Sequence, residues 1–448
     1  MYKGKKLYLP IALALALLVS FFVLTACAKT KTESKGVNKK YSYLKNLSEN
    51  KNTHKFLDAY WKTPVNEGKT PLNRPKIQES LSSSSCMACH YKQYTEWKKS
   101  RMAHSMDAGV IGQLLLKKMT SKHWRPWVLS CLSCHSPLAG YYVLHPAEYK
   151  GPSAKEKKIL QSGTKEEKAM VIALNALKIP MENGDSSVSC SSCHVRYFRR
   201  FGPPVAKYIK EGKIAHRGFV SSKAFLSSYF CIKCHQLPRD NRRLKGKLFE
   251  NTYYEWKKSI YAKKGISCET CHTPHGSMAF KSIYNKDFIL KAITIRLKRV
   301  KIYSGRVNTI LSVTNSGVGH DFPTYTTPKV ILNIAQEKVN GNIIGKSAKH
   351  YVIGWSVSLN LKKQYFDTRL KPFQTGILIY DYPLLNGSRY LKAWITVKPE
   401  SHYTRFFKAY LKMKRLPEII RIMFLKALKG DKSSKYLLWR KRVRIPLR

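Results

Sequence analysis

Cys86-Met87-Ala88-Cys89-His90 is the first of five copies of one device. The others are Cys131-Leu132-Ser133-Cys134-His135, Cys190-Ser191-Ser192-Cys193-His194, Cys231-Ile232-Lys233-Cys234-His235 and Cys268-Glu269-Thr270-Cys271-His272. Each reads C-x-x-C-H, the attachment signature of a c-type haem. Two thiols bond to two edges of one porphyrin, and the imidazole that follows points at its iron. A single C-x-x-C is equally a redox dithiol or half of a zinc site. Neither chemistry asks for a histidine after every second cysteine, and adjacent dithiols in fivefold repetition do not build a disulfide framework. The stretch is therefore read as five covalent c-type haems, with His90, His135, His194, His235 and His272 as iron ligands.

The rest of the chain is arranged around this cassette. Its 448 residues suffice for two or three domains. Ten of the eleven cysteines lie in the motifs, and the one outside them is Cys27. Residues 1–26 read as a targeting segment: Lys3, Lys5 and Lys6 precede an apolar run from Ile11 to Leu24. That run ends at Leu24-Thr25-Ala26-Cys27, which resembles the bacterial lipoprotein box and makes Cys27 the expected site of lipidation. The implied address is a bacterial membrane, facing the periplasm or the cell exterior. Ala28 after the cysteine mildly favours an outer membrane. Residues 27–80 are rich in Lys, Asn, Ser and Thr and read as a tether with one short helix around His54 to Trp61.

Residues 81–280 form the expected pentahaem domain, mainly helical and organised by its haems. The motifs start 45, 59, 41 and 37 residues apart, too irregular for a solenoid. Helical patterns fall at Tyr94 to Met106, Lys165 to Leu177 and Asn251 to Tyr261. Little continuous apolar sequence separates them, so haem faces are expected to supply much of the core and the apoprotein to be largely unfolded. Residues 281–410 alternate β-branched and polar residues, with hairpin signals at Asn340-Gly341 and Asn386-Gly387. This predicts an all-β, sandwich-like domain of about seven strands. Residues 411–448 are left as a helix around Pro417 to Lys429 and a basic strand or tail. The apolar face of that helix suits packing on the β-domain or a membrane surface.

Lys and Arg total 82 against 26 acids, a formal charge of +56 that haem propionates only partly offset. Such a field favours acidic redox proteins, anionic headgroups or other polyanions as partners. Export and haem attachment argue against nucleic acid.

Nine histidines remain after the five in the motifs: His54, His104, His123, His145, His216, His275, His320, His350 and His402. They are enough to give every iron a second imidazole. Met102 and Met106 are weaker candidates, and a methionine ligand would raise the potential.

Here the chain resembles the multihaem cytochromes c of the c-554/c-552 type. The resemblance rests on Glu96-Trp97-Lys98-Lys99-Ser100-Arg101-Met102-Ala103-His104, Cys134-His135-Ser136-Pro137-Leu138-Ala139, Phe230-Cys231-Ile232-Lys233-Cys234-His235-Gln236 and Glu255-Trp256-Lys257-Lys258-Ser259. It extends to Gly317-Val318-Gly319-His320-Asp321-Phe322-Pro323-Thr324, with Tyr325 where such proteins carry a glycine. The resemblance implies His104, His216, His275 and His320 as distal ligands, with His275 serving a neighbouring haem. A ligating His320 would clamp the β-domain to the cassette, and its flanking glycine would let backbone approach a porphyrin. For the fifth site His123 ranks above His145 and His54, while His350 and His402 read as ordinary surface or core residues. The function this points to is electron transfer along five mostly bis-His haems, by a carrier and not an enzyme, possible assembly with other cytochromes included. The alternative is a multihaem oxidoreductase acting on small nitrogen or sulfur compounds at one open iron. All five motifs end in His, none in the C-x-x-C-K of five-haem nitrite reductases, and that weighs against it.

Overall fold

The computed structural model describes residues 50–63, 65, 80–144, 149, 151–179, 187–204 and 219–446. The targeting segment, Cys27, most of the tether, His145 and His216 lie outside the described residues. No helix among the described residues is long and apolar enough to cross a membrane.

The helix expected near His54 spans Lys51–Lys62, and the Asn50 carboxamide caps it by accepting from Thr53 N at 2.8 Å. It is docked rather than dangling. Tyr60 Oη donates to the Cys193 carbonyl at 2.8 Å, and the buried Arg196 guanidinium lies 4.2 Å from the Tyr60 ring. The N-terminal arm is thereby tied to the third motif.

Between the first and third motifs the chain inserts a helical lobe. Asp107 starts the helix Ala108–Thr120 by accepting from Gly109 N and Val110 N, and Trp124–His135 carries the second motif at its C-terminal end. Ala154–Ser162 and Lys165–Ala176 each begin with a reciprocal capping box, Ser153 with Glu156 and Thr164 with Glu167. Ile111, Leu114, Val128, Leu132, Leu174 and Leu177 pack into one apolar cluster with Phe407, Ile420, Met423 and Phe424. The expectation that haem faces supply much of this domain's core is corrected for the lobe. Its missing apolar partners come from the C-terminal helices Ser401–Leu411 and Glu418–Ser434, hundreds of residues away in sequence.

This also corrects the reading of the terminal helix. Its apolar face covers neither the sandwich nor a membrane; it packs on Ala108–Thr120. Gly112 lets the two approach, because a Cβ there would lie 2.7 Å from the Phe424 ring; Gly109 does the same for Phe407 of Ser401–Leu411, at 2.6 Å.

The strands of the C-terminal half are numbered β1 Ile293–Leu297, β2 Lys301–Tyr303, β3 Arg306–Asn315, β4 Lys329–Lys338, β5 Lys349–Ile353, β6 Trp355–Val357, β7 Gln364–Asp367, β8 Thr375–Pro383, β9 Ser388–Lys398 and β10 Tyr436–Arg444. One antiparallel sheet runs β5-β4-β9-β10; the other runs β8-β3-β1, with β2 also on β3. Period-two patterning puts Val307, Leu311 and Val313 of β3 and Leu391, Ile395 and Val397 of β9 into one shared core. The hairpin expected at Asn340-Gly341 forms, with β4 pairing β5 and Gly341 at a φ of +87°. Asn386-Gly387 also turns the chain, Gly387 at +74°, but β8 and β9 lie in different sheets, so the expected hairpin there is instead a crossing from one sheet to the other. β10 lies beyond the expected boundary at 410, so the basic tail is an integral strand of the sandwich.

Candidate haem-attachment sites

Each C-x-x-C-H segment is a short turn of helix, or the end of one. Three residues of helical advance put both thiols on one face, and the histidine follows one turn after the first cysteine. None of the ten motif cysteines is paired in a disulfide.

The histidines are held in one tautomer. His135 Nδ1 donates to the Ser105 carbonyl at 2.7 Å, His194 Nδ1 to Phe201 at 2.8 Å and His272 Nδ1 to Lys281 at 2.7 Å. A carbonyl can only accept, so the Nδ1 of each carries the proton and Nε2 keeps its lone pair for a metal. His235 Nδ1 is bound instead to Tyr325 Oη at 2.6 Å. His320 shows the same device, with Nδ1 on the Asp321 carbonyl at 2.9 Å. Burial lowers the pKa of His194 and His272, and it lowers that of His235 and His320 to about 4. All four therefore stay in the neutral form that ligation requires.

His272 and His320 stand as a pair. Their ring centroids are 6.4 Å apart and the rings are within 14° of parallel. Two imidazoles on opposite sides of one iron, each bonded at about 2 Å, have centroids about 6 Å apart. The donor chemistry, the tautomers and this spacing fit a bis-His haem at the fifth motif. Gly319, read in sequence as clearance for a porphyrin, has its close contacts with protein: a Cβ there would lie 3.1 Å from Trp256 and 3.2 Å from Tyr261.

The cassette is built from a duplicated pair of motifs, which sequence reading missed. The first and third motifs form one module; the fourth and fifth form the other. In the first, Ser82 Oγ accepts from Ser84 N, and Ser83 Oγ accepts from the amide of Cys190 at 3.1 Å. In the second, Ser227 Oγ accepts from Tyr229 N, and Ser228 Oγ accepts from the amide of Cys268 at 2.9 Å. Trp97 Nε1 donates to the Val188 carbonyl at 2.9 Å, two residues before Cys190. Trp256 Nε1 donates to Ile266 at 2.8 Å, two residues before Cys268. Tyr94 and Trp97 lie 5.7 Å apart at 41°, and Tyr253 and Trp256 lie 5.6 Å apart at 42°. The signal was the repeated Glu-Trp-Lys-Lys-Ser at 96–100 and 255–259. It is masked by unequal spacing and by the helical lobe inserted into the first copy.

Each module's glutamate holds a loop that carries a candidate distal histidine. Glu96 Oε2 accepts from Met278 N at 2.9 Å, three residues after His275. Glu255 Oε2 accepts from Asp321 N at 3.3 Å and Thr324 Oγ1 at 2.8 Å, just after His320. Burial, with the Asp321 charge, raises Glu255 to about 7 against the pull of Arg369. Arg369 Nη1 lies 3.2 Å from Glu255 and 3.7 Å from Asp321, and the guanidinium grips Asp367 at 2.9 Å. This ion cluster joins the cassette to the sandwich.

The modules touch. Phe225 stacks 5.5 Å from His194 and lies 4.7 Å from Phe230, the residue before Cys231. The second motif joins the fourth: Cys134 Sγ lies against the Cys234 side chain and 3.5 Å from the Lys233 carbonyl. Cys231 and Cys268 are in side-chain contact as well. The fourth motif is thus the junction of the cassette.

The other expected ligands are less drawn in. His104 is exposed, with Nε2 at 3.0 Å from the Lys98 carbonyl. His123 is exposed at the start of Trp124–His135, and His275 is exposed in a left-handed conformation with φ of 55°. His54 was ranked behind both His123 and His145; its ring stacks 3.8 Å from Tyr229, two residues before Cys231. His350 faces solvent on β5, and His402 is buried beside Lys329 and Arg405 with its pKa lowered to about 4, chiefly by burial.

Residues 85–145 match the family model described as cytochrome c554 and c-prime. The fold is similar to the crystal structure of a penta-heme cytochrome c552 from Thermochromatium tepidum, with a TM-score of 0.53 and 16% sequence identity. That similarity covers 82% of this chain and 100% of the other. No curated protein matches the chain.

Proposed function

We propose that the chain is a multihaem cytochrome c of the c-552/c-554 type and an electron conduit carrying five covalent haems, most of them bis-His, a reading supported by the family match over residues 85–145 and the similarity of fold to a penta-heme cytochrome c552. Each haem, once bound, supplies a one-electron centre whose potential follows its ligands and surroundings. The chain's part is to bind, orient and space these centres. Cys86 and Cys89, Cys131 and Cys134, Cys190 and Cys193, Cys231 and Cys234, and Cys268 and Cys271 hold the rings. The histidine after each pair ligates iron, and His320 completes the site at His272.

The parallel His272–His320 pair carries this reading, because both imidazoles would hold one haem and supply it with the paired nitrogen ligands suited to electron transfer. The contacts between motifs support a continuous and branched path: first to third, third to fourth, then fourth to both second and fifth. By equivalence of the modules, Glu96 holds the His275 loop as Glu255 holds the His320 loop. His275 is accordingly assigned to a haem of the first module. His104, His216 and His54 or His123 are assigned to the remaining irons. A lipid on Cys27 would keep this conduit at a bacterial membrane, and the +56 chain would dock acidic redox partners with a salt-sensitive on-rate.

Electron paramagnetic resonance of the oxidised holoprotein tests this. Entirely low-spin ferric signals are expected, and His320→Ala should turn one haem high-spin. A substantial high-spin signal in the wild type, or tight binding of nitrite, would replace the conduit with an oxidoreductase.

A further inference from the structure

The fourth motif differs from the second, third and fifth in what holds its histidine. His135, His194 and His272 each give their Nδ1 proton to a backbone carbonyl, whereas His235 meets the phenol of Tyr325. That phenol hydrogen-bonds Thr252. Thr252 Oγ1 is 2.8 Å from Thr324 Oγ1, which donates to Glu255 Oε2 at 2.8 Å. The chain crosses the boundary between cassette and sandwich loop at every step, since His235, Thr252 and Glu255 belong to one and Tyr325 and Thr324 to the other.

Its polarity follows from its end. An ionised carboxylate only accepts, so at alkaline pH Thr324 spends its single proton on Glu255. Thr252 must then donate to Thr324, and Tyr325 to Thr252. Tyr325 is left to accept, and His235 Nδ1 must be the donor. All protons point toward Glu255, an arrangement in which each bond strengthens the next. Arg369 and Asp321 flank that carboxylate, the one attracting and the other repelling its charge.

We propose that Tyr325 and Glu255 tune the haem held at Cys231 and Cys234, the hydroxyl relay bringing carboxylate character to His235 and lowering that haem's reduction potential. The proposal rests on the conduit reading, in which His235 ligates iron. The physical step is a partial withdrawal of the Nδ1 proton. It makes the imidazole a stronger electron donor through Nε2, and a stronger donor favours the oxidised metal. Tyr325 is a positioning residue, acting on the iron only through His235. Since the fourth motif is the junction of the branched path, its potential sets how electrons divide between the second and fifth sites.

The experiment is a spectroelectrochemical titration of holoprotein in four forms: wild type, Tyr325→Phe, Glu255→Gln and the double variant. Haem content is measured first. A wild type with no haem on Cys231 and Cys234 sinks the conduit reading and the proposal with it. With five haems present, each single variant should raise the same one couple and leave four in place. A tenfold shift in that couple's equilibrium is expected, about 59 mV for one electron. The double variant should move no further than Tyr325→Phe alone, because one broken link already disconnects the relay. Additive shifts would mean that Glu255 acts through space, and unchanged potentials in Tyr325→Phe would mean that the phenol is only packing. Either result overturns the relay while leaving the conduit standing.

Discussion

Arg369→Met is expected to loosen the joint between cassette and sandwich, and to do so more at high pH than at low. The Arg369 side chain is 6% exposed, and it serves three carboxylates at once: Asp367 at 2.9 Å, Glu255 at 3.2 Å and Asp321 at 3.7 Å. Methionine fills much of the volume but leaves those acids without their shared cation. Asp367 keeps Lys247 at 2.7 Å, so its loss is partial. Glu255 loses its ion-pair partner and dominates the cost. Removing one member of a buried pair costs about 3–5 kcal/mol, which is the expectation at pH 8. Glu255 is raised to about 7 by burial and Asp321, against the lowering effect of Arg369. A raised carboxylate contributes stability that is complete below its unfolded value and lost as pH rises through the folded one. Without Arg369 the folded value rises further, and each unit of rise costs about 1.4 kcal/mol at alkaline pH. Below pH 5.5 Glu255 is protonated in both proteins, and the difference should fall to about 1–2 kcal/mol, the scale of the remaining hydrogen bonds. Urea unfolding of the holoprotein followed by far-UV circular dichroism at pH 5.5 and 8 measures this. A difference under 1 kcal/mol at pH 8, or one equal at both pH values, would refute the assignment of Arg369 as the counterion of Glu255.

Two further outcomes follow from packing. Trp97→Phe and Trp256→Phe each remove one N–H donor from a nearly buried carbonyl contact, 2.9 and 2.8 Å long, and should cost about 1–3 kcal/mol apiece in urea unfolding. If the modules are true duplicates the two costs agree within a factor of two, and a large cost in one with none in the other would break the equivalence. Gly112→Ala should destabilise by about 1–2 kcal/mol in a thermal melt of the holoprotein. The new methyl would stand 2.7 Å from the fully buried Phe424 ring, and overpacking of about 1–3 kcal/mol outweighs a helix-propensity gain of about 1. A rise in the melting temperature would show that Phe424 yields without strain.

What the sequence revealed was what is local or chemically explicit. Two thiols and an imidazole in five residues announce themselves wherever they stand, and the sandwich strands show through alternation in segments such as Val307 to Val313. His320 was singled out by its resemblance to a known segment, and its ring lies parallel to that of His272 at 6.4 Å. Long-range partners were not legible. Nothing around Phe424 says that its ring fits beside Gly112, because either residue alone suits many surfaces. The relay from His235 to Glu255 was invisible for a similar reason. Threonine and tyrosine hydroxyls carry no periodic signature, and their order appears only when the sandwich loop lies against the cassette. His275 illustrates the opposite limit: the motif that marks it is clear, yet the chain's fold around it leaves the residue exposed.

The path of the last fifty residues sets a timetable for assembly. Helix Glu418–Ser434 caps the cluster against which Cys131 packs, and the strand Tyr436–Arg444 then completes the sandwich sheet. A chain emerging from its N-terminal end presents all five attachment segments before either closure exists. The second of these segments therefore precedes, in chain order, the helix that covers the lobe carrying it. A nonsense mutation near the C-terminus would read on paper as the loss of a basic tail. In the molecule it would strip the lobe that carries Cys131 and Cys134 of its cover.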